Sequence, residues 1–438
     1  MEQPISSALA DTTAKFRPRS AGLVLLVVTL FFAWGFATVL IDTLIPKLKG
    51  LFSLNYAEVM LTQFSFFLAY FLVSLPAGVL LARIGYIRGI VVGLAVMAAG
   101  ALMFSPAAFL GVYPAFLVAL FVMASGITML QVAANPLIAV LGLPDSSHSR
   151  LTLAQAFNSL ATFVGPLVGA AVILKSGVTT VNPAAMSPEA LDHYRRTEAL
   201  HIQLPFLWIA AGCALVAVVF WLVRNSRAVP SSAGAQTRLS SLALLGRPRL
   251  ALGAVTIFLY VGAEVSIGSM MANYLMQGST LHAAAARAGQ LVSLYWGGAM
   301  VGRFIGSGVL RFVPAGRVLA FCAVMAAVLS AASAVSSGLI AAVTVIAVGL
   351  FNSIMFPTIF TLGIDGLGEK TPQGSGILCL AIVGGAVVPV ISGLVADRAG
   401  LHTALFVPAA CYLWIVFYGL WARPLRTPWA DAMSGETA

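Results

Sequence analysis

The feature that most limits the fold of this chain is a series of long apolar segments, twelve of which are long enough to cross a bilayer. A helix rises about 1.5 Å per residue, so it needs about 20 apolar residues to span the hydrocarbon core. Within hydrocarbon every backbone N–H and C=O must be bonded inside the protein, and a helix satisfies them within one segment. The sequence therefore predicts an all-α membrane protein with twelve transmembrane helices.

The twelve segments fall into two sets of six. The first set lies near Gly22–Pro46, Ala57–Arg83, Tyr86–Phe104, Val112–Leu141, Leu151–Leu174 and Gln203–Val223. The second set lies near Leu250–Gln277, Gly289–Val313, Arg317–Ser336, Leu339–Asp365, Gly374–Asp397 and Leu401–Ala422. A long polar stretch between them predicts an N-terminal half over 21–224, a linker over 225–246 and a C-terminal half over 247–424, with polar tails at 1–20 and 425–438.

The composition agrees with a protein surrounded by lipid. Of 438 residues, 60% are hydrophobic and 9% are charged, whereas a soluble domain carries about 25% charged residues. The net charge of +10 does not indicate a nucleic-acid partner, because the basic residues lie between the apolar runs rather than in one patch. The four cysteines each lie inside an apolar run without a CxxC pair, which predicts free thiols and neither a disulfide nor a metal site.

Lysine and arginine residues indicate the orientation, because they are enriched on the cytoplasmic side of membrane proteins. With both termini in the cytoplasm, most of these residues fall in cytoplasmic loops and tails. We therefore expect a multi-pass protein of a bacterial inner membrane with both termini inside.

The two halves resemble each other at three places. Pro166 in span 5 corresponds to Pro389 in span 11, and Pro136 in span 4 corresponds to Pro357 in span 10. Gly35 in span 1 corresponds to a glycine in span 7, Gly262. The two members of each pair are separated by nearly the same number of residues, which indicates a duplicated six-helix unit. Two such halves with a solute site between them form the architecture of the major facilitator fold.

Two carboxylates in the spans are candidates for ion coupling. Asp42 lies near the outer end of span 1, and Glu264 lies well inside span 7. Burial disfavours the charged form of a carboxylate, which can then bind and release a proton as its surroundings change. The alternative for Asp42 is an interfacial side chain that reaches water, and for Glu264 a structural hydrogen bond.

Amide side chains within the spans are candidate substrate ligands, because each offers both donors and acceptors to a neutral polyhydroxylated solute. They are Gln131 and Asn135 in span 4, Gln155 and Asn158 in span 5, and Gln63, Asn273, Gln290 and Asn352. Within spans 4 and 5 the two amides are three or four residues apart, so they share one helix face. Trp34 and Trp296 could stack on a sugar ring, whereas Arg303 in span 8 is predicted to be structural. The alternative for any single amide is a hydrogen bond between helices.

Several segments resemble the fucose–galactose–glucose–proton symporter family of the major facilitator superfamily. They are FFAWGFATVLIDTLIPKLKGLF, QVAANPLIAVLG, RLTLAQAFNSLATFVGPLVG and FNSIMFPTIFTLGIDGLGEKTPQGSG, and AEVSIGS in span 7 is most similar to the glucose/galactose branch. The resemblance implies that Asp42 takes part in proton coupling and substrate binding, and that Gln155 and Asn158 are polar residues of the cavity.

The sequence departs from that family at three positions. Gln131 stands where the L-fucose–proton symporter has a glutamate, so proton coupling would depend on Asp42 and Glu264, or the cation would be Na⁺. Ile41 stands where that family usually has an asparagine, directly before the span 1 aspartate. Ala82 replaces an aspartate in the span 2–3 signature, which keeps the gate residues Arg83 and Arg88.

These observations predict a monomeric secondary transporter that imports a hexose-type sugar by proton symport and needs no cofactor. A Na⁺-coupled or uncoupled carrier, a proton-antiport exporter and a non-transporting sugar sensor stay open as alternatives. An enzyme is not expected, because the sequence contains no nucleophile–base set and no metal-binding cluster.

Overall fold

In the part of the chain that the computed structural model describes, every regular element is helical. The described residues are 18–52, 56–141, 146–173, 187–225 and 242–422. At 18–21, 39–51, 56–60, 165–173, 188–202 and 285–286 the description covers the backbone and not the side chains.

The helices are numbered here so that each number matches one predicted span. The first half contains α1 (Pro18–Phe52), α2 (Tyr56–Ile84), α3 (Tyr86–Leu110), α4 (Tyr113–Val140), α5 (Ser147–Ile173) and α6 (Pro188–Leu222). The second half contains α7 (Pro248–Met276), α8 (Ala285–Val309), α9 (Ala315–Val335), α10a (Gly338–Asn352), α10b (Met355–Ile364), α11a (Thr371–Leu380), α11b (Gly384–Ala404) and α12 (Phe406–Trp421). Short 3-10 helices cover Leu242–Gly246, Gly368–Lys370 and Ala381–Val383.

The helices are long and apolar enough for the predicted membrane spans. Within the described residues, eight helical segments meet both criteria of length and hydropathy, and Gly22–Thr38 and Phe406–Trp421 form shorter apolar helices. Many of their large apolar side chains face outward, including Phe109, Trp208 and Leu222. An apolar outer surface of this kind requires lipid as its solvent.

The structure adds detail to several predicted spans. Span 6 matches the apolar segment Gln203–Leu222, and α6 extends this helix back to Pro188. Spans 10 and 11 each consist of two helices. The end of the predicted linker is also ordered, since 242–246 form a 3-10 helix in which Leu244 is buried. Residues 226–241 and the two predicted tails, except 18–20, lie outside the described residues.

Equivalent helices pack in equivalent pairs in the two halves. In the first half α1 packs on α5, α2 on α4, and α3 on both α4 and α6. The second half repeats these pairings, with α7 on α11b, α8 on α10a, and α9 on both α10a and α12. The matching pairs confirm the duplicated six-helix unit that the sequence predicts.

Two of the repeated glycines make this packing possible. A Cβ atom on Gly35 would lie 2.4 Å from Nδ2 of Asn158, so α1 approaches α5 closely at this point. A Cβ atom on Gly262 would lie 2.3 Å from Cγ2 of Val388, which places the same close approach between α7 and α11b. Small residues at helix crossings allow such backbone approach in membrane proteins.

The halves contact each other through α2 with α11a and α5 with α8, and through α4 with α11a and α5 with α10b. Several of these contacts lie toward the end of the bundle where α2 ends and α3 begins, here called the α2–α3 end. Ser149 Oγ donates to Ser307 O at 2.6 Å, and His148 Nδ1 lies within hydrogen-bond distance of Thr361 Oγ1. At Gly376, an added Cβ would lie 2.7 Å from Ser74 O, so α2 and α11a are in close backbone contact.

The repeated prolines leave backbone acceptors at the centre of the bundle. A proline has no N–H, so the carbonyl four residues before it loses its helical partner. Pro136 frees Val132 O, which accepts a hydrogen bond from Ser375 Oγ of the other half at 2.8 Å. Pro357 frees Ser353 O at the break between α10a and α10b, and this carbonyl accepts a hydrogen bond from Arg303 Nε at 3.0 Å.

Candidate functional site

The predicted amides of α4 and α5 lie together. Gln155 Nε2 donates to Asn135 Oδ1 at 3.4 Å, and both side chains are buried. Asn135 Nδ2 is buried and has no hydrogen-bond partner among the described residues. A buried N–H that is not bonded destabilises the fold, so this amide is a donor available to a solute.

Gln131 lies one helical turn from Asn135 on the same face of α4 and bonds to α2. Its Nε2 donates to Tyr70 Oη at 2.7 Å, and the Tyr70 side chain is buried. The hydroxyl of Tyr70 is therefore part of the polar network.

Asn158 connects α5 to α1. Its Nδ2 donates to Phe31 O at 3.0 Å beside Gly35. Trp34 is on the same stretch of α1, is 2% exposed, and packs on Phe31 with ring centroids 4.1 Å apart. Trp34 is therefore covered in this conformation and does not present an open face on which a ring could stack.

Glu264 is at the centre of a second polar cluster, formed by α7, α8 and α10a. Tyr260 Oη lies 2.8 Å from Glu264 Oε1 and 3.0 Å from Asn352 O. Asn352 Nδ2 donates to Tyr295 Oη at 2.8 Å, and Tyr295 Oη lies 3.5 Å from the backbone oxygen of Glu264. The structure therefore brings together two predicted residues, Glu264 and Asn352, through two tyrosine hydroxyls.

Arg303 joins the two clusters. Besides its bond to Ser353 O, its Nη1 donates to Ser159 Oγ of α5, and Ser159 Oγ donates in turn to Gln155 O at 3.2 Å. Ser353 directly follows Asn352, whose side chain and backbone oxygen belong to the Glu264 cluster. A continuous polar path thus crosses from the α4–α5 amides of one half to the Glu264 cluster of the other.

Sequence reasoning missed Tyr295 and Ser159. Hydroxyl side chains are common in membrane spans, where most bond to their own helix, as Thr256 and Ser266 do here. The sequence signal available for Tyr295 was its position beside Trp296. Ser159 lies one turn beyond Gln155 on the predicted amide face.

Other predicted residues lie apart from this path. Gln63 and Asn273 are exposed in the structure, and Trp296 is 41% exposed, packed beside Gly268. Arg83 and Arg88 are exposed on either side of Gly85, whose φ of 81° allows the sharp turn from α2 to α3. Asp42 is in α1, and its side chain is outside the described residues.

The described side chains contain no group of three or more His, Cys, Asp or Glu residues that could hold a metal ion. The four cysteines are free thiols and all are buried. The polar path therefore offers amides, hydroxyls, one carboxylate and one guanidinium, which are groups that bind a neutral polar molecule and exchange protons.

Residues 23–382 match the Major Facilitator Superfamily, and the chain belongs to this superfamily of membrane transporters. It is 50% identical over 391 residues to the glucose/galactose transporter of Brucella abortus biovar 1 (strain 9-941), covering 89% of this chain and 92% of the relative. It is 35% identical over 407 residues to the L-fucose-proton symporter of Escherichia coli (strain K12), covering 90% and 91%.

A solved structure has the same fold. The crystal structure of FucP, a Major Facilitator Superfamily transporter, in the outward conformation superposes with a TM-score of 0.85 at 33% identity, covering 92% of this chain and 99% of that one. These comparisons confirm the predicted major facilitator fold and the resemblance to the fucose–galactose–glucose–proton symporter family. The relatives are named as transporters and symporters, in agreement with the expectation that this chain is not an enzyme.

Proposed function

We propose that the chain imports a hexose-type sugar by proton symport, through alternating access of one central site to the two sides of a bacterial inner membrane. The observation that carries this proposal is the polar path between the halves, in which buried amides lie next to a carboxylate. Amides bind sugar hydroxyls through paired donors and acceptors, and a carboxylate inside a membrane protein can bind a proton. The mechanism needs no cofactor.

The substrate ligands in this proposal are Gln131, Asn135, Gln155 and Asn158 of the first half and Asn352 of the second. Trp34, Trp296, Gln63 and Asn273 would join them only in a conformation that brings them to the central cavity. Among the relatives, the glucose/galactose transporter is more similar to this chain than the L-fucose symporter is. We therefore favour glucose or galactose over L-fucose.

Proton coupling in this proposal depends on Asp42 and Glu264. Gln131 cannot bind a proton, and its amide already donates to Tyr70. Glu264 has a hydrogen-bond donor in Tyr260, and Arg303 connects its cluster to Ser159 of the other half.

The orientation follows from the distribution of positive charge, with both termini in the cytoplasm. The α2–α3 end then faces the cytoplasm, and the contacts between halves at that end close the site toward the cytoplasm. The site would open to the outside, and the crystal structure of the relative FucP is likewise in the outward conformation.

Uptake into proteoliposomes tests the proposal. Purified protein should accumulate labelled glucose or galactose when the outside is acidic, and an inward Na⁺ gradient at constant pH should have no effect. Accumulation driven by Na⁺ alone would indicate the sodium-coupled alternative, and equilibration without accumulation under either gradient would indicate an uncoupled carrier. Sugar binding without uptake would indicate a sensor, and proton-driven export of apolar cations would indicate an exporter.

A further inference from the structure

A cavity of about 260 Å³ lies in the second half, at the end of the bundle where α7 begins and α12 ends. Its lining comes from residues 247–250 at the start of α7, from Gly363 and residues 365–367 at the turn between α10b and α11a, and from Trp421 of α12. None of these residues belongs to the polar path between the halves. The cavity is therefore separate from the proposed sugar site, and it is called here the Arg247 cavity.

The Arg247 cavity has an apolar inner wall and an exposed mouth. Leu250 and Leu367 form the inner wall, and both side chains are buried. Arg247, Gly366 and Trp421 are exposed and form the mouth. A molecule bound here would place an apolar part against the two leucines and a polar part beside Arg247, so the cavity suits an amphipathic ligand.

The charges that line the cavity sum to one positive charge. Arg249 Nη1 lies 2.8 Å from Asp365 Oδ2, so these two side chains neutralise each other. Arg247 Nη1 donates to Gly366 O at 2.9 Å, a bond to a neutral carbonyl that uses one of the five N–H groups of its guanidinium. The other N–H groups of Arg247 lie at the mouth, where a planar guanidinium matches the oxygens of a phosphate group.

The surface on both sides of the mouth is apolar. Leu242 and Leu245 are exposed in the 3-10 helix that precedes Arg247, and Phe417 and Leu420 are exposed on α12. Exposed apolar side chains beside an arginine and a tryptophan, at the ends of two spans, are typical of the boundary between lipid and water. The Arg247 cavity therefore opens at the depth of the lipid headgroups, where phosphodiesters with acyl chains are its neighbours.

We propose that the Arg247 cavity binds an anionic phospholipid, with Arg247 on the phosphodiester and with the glycerol and first acyl carbons against Leu250, Leu367 and Trp421. The proposal goes beyond the transport of sugar and does not depend on the coupling ion. A zwitterionic lipid carries the same phosphodiester together with a cation that the guanidinium repels, and free phosphate has no apolar part for the inner wall. An anionic lipid satisfies both parts of the cavity.

Lipid binding to the purified full-length protein in detergent tests this proposal, with native mass spectrometry to count the bound lipids. The probe is dioleoyl phosphatidylglycerol, the lipid control is dioleoyl phosphatidylcholine, and inorganic phosphate is the competing free anion. Arg247→Gln removes the charge, and its amide can still donate to Gly366 O. Arg317→Gln is the matched control, because Arg317 is an exposed arginine in the first turn of α9.

We expect the unmodified protein to bind phosphatidylglycerol more tightly than phosphatidylcholine. In Arg247→Gln the affinity for phosphatidylglycerol should fall about fivefold, which is the effect of one arginine at an anionic lipid surface. Asp365→Asn should raise that affinity, because it removes the negative charge from the lining and frees Arg249 for the same phosphodiester. Trp421→Ala should lower it through loss of apolar contact, and Arg317→Gln should match the unmodified protein.

Three results would overturn the proposal. Arg247→Gln could bind phosphatidylglycerol as tightly as Arg317→Gln and the unmodified protein do, which would show that Arg247 does not contact the lipid. Millimolar inorganic phosphate could displace the lipid, which would make a free anion the occupant. Asp365→Asn could lower the affinity as Arg247→Gln does, which would show that both variants disturb the turn and that charge does not select the ligand.

Discussion

Ser375 donates its Oγ hydrogen to the backbone oxygen of Val132 at 2.8 Å, and this bond crosses the boundary between the two six-helix halves. Both partners are buried. The acceptor is free because Pro136 has no N–H to bond to it. Since α4 and α11a belong to different halves, the bond must break when the halves separate at the α2–α3 end.

Replacement of Ser375 by alanine should favour that separation. A hydrogen bond of this kind contributes about 0.5–1.5 kcal/mol, which corresponds to a roughly 2- to 10-fold change in the equilibrium. Cys379, one turn along α11a, is fully buried and reports the change. We expect its alkylation by a membrane-permeant maleimide to become faster by about that factor in Ser375→Ala. Thr403→Ala is the control, because Thr403 is exposed and bonds to its own helix. Equal alkylation rates of Cys379 in Ser375→Ala and in the unmodified protein would exclude a role of the Ser375 bond in closing the α2–α3 end.

Gly376 should not tolerate a larger residue. Its Cβ would lie 2.7 Å from Ser74 O, so Gly376→Val would force α2 and α11a apart. We expect counterflow to fall more than tenfold and Cys379 to react faster with maleimide, because the α2–α3 end could no longer close. Gly393→Val is the matched control, since no atom lies near the Cβ position of Gly393 on α11b. Normal counterflow in Gly376→Val would show that this close approach is not needed for the transport cycle.

Asp42→Asn should abolish proton coupling but leave the exchange of sugar across the membrane. Without a carboxylate at this position, accumulation driven by a proton gradient should disappear, whereas counterflow should persist. Both quantities are measured in proteoliposomes with an imposed proton gradient. Asp397→Asn is the control, since Asp397 is exposed near the end of α11b. Unchanged accumulation in Asp42→Asn would assign coupling to Glu264 alone.

Gln155→Ala and Asn158→Ala should weaken sugar binding. Loss of one or two hydrogen bonds to a bound hydroxyl corresponds to about 1–2 kcal/mol, so the Kd for sugar should rise roughly 5- to 30-fold. Calorimetry in detergent measures this constant directly. Gln203→Ala provides the control, because Gln203 bonds at 3.5 Å to Ser105 O, away from the polar path. A Kd that stays within twofold in both variants would place the sugar elsewhere.

Most of the fold follows from the sequence, because the apolar length of a span is a local property. The predicted span 6 matches the apolar segment Gln203–Leu222, and residues 188–202, which are too polar to count as a span, continue the same helix beyond it. The break in α10 was missed although Pro357 is visible in the sequence, since many membrane helices tolerate a proline without ending. Pro76 and Pro205, for example, lie inside continuous helices.

The candidate site was less accessible to sequence reasoning. The amides of α4 and α5 could be grouped, because residues three or four apart share a helix face. The bonds of Arg303 to Ser159 and to Ser353 O connect three helices that are distant in the chain. No sequence spacing indicates which of many buried hydroxyls meets the guanidinium, since that depends on how the two halves pack.

The acceptors freed by the prolines affect how mutations act at the boundary between the halves. Val132 and Ser353 present only their main-chain oxygens to Ser375 and Arg303, so any side chain that fits at 132 or 353 keeps the acceptor. The bonds are instead encoded at Pro136 and Pro357, one turn away, because any other residue there would supply an N–H that competes for the same oxygen. Substitutions at Pro136 and Pro357 should therefore weaken these contacts, although neither residue is the donor or the acceptor.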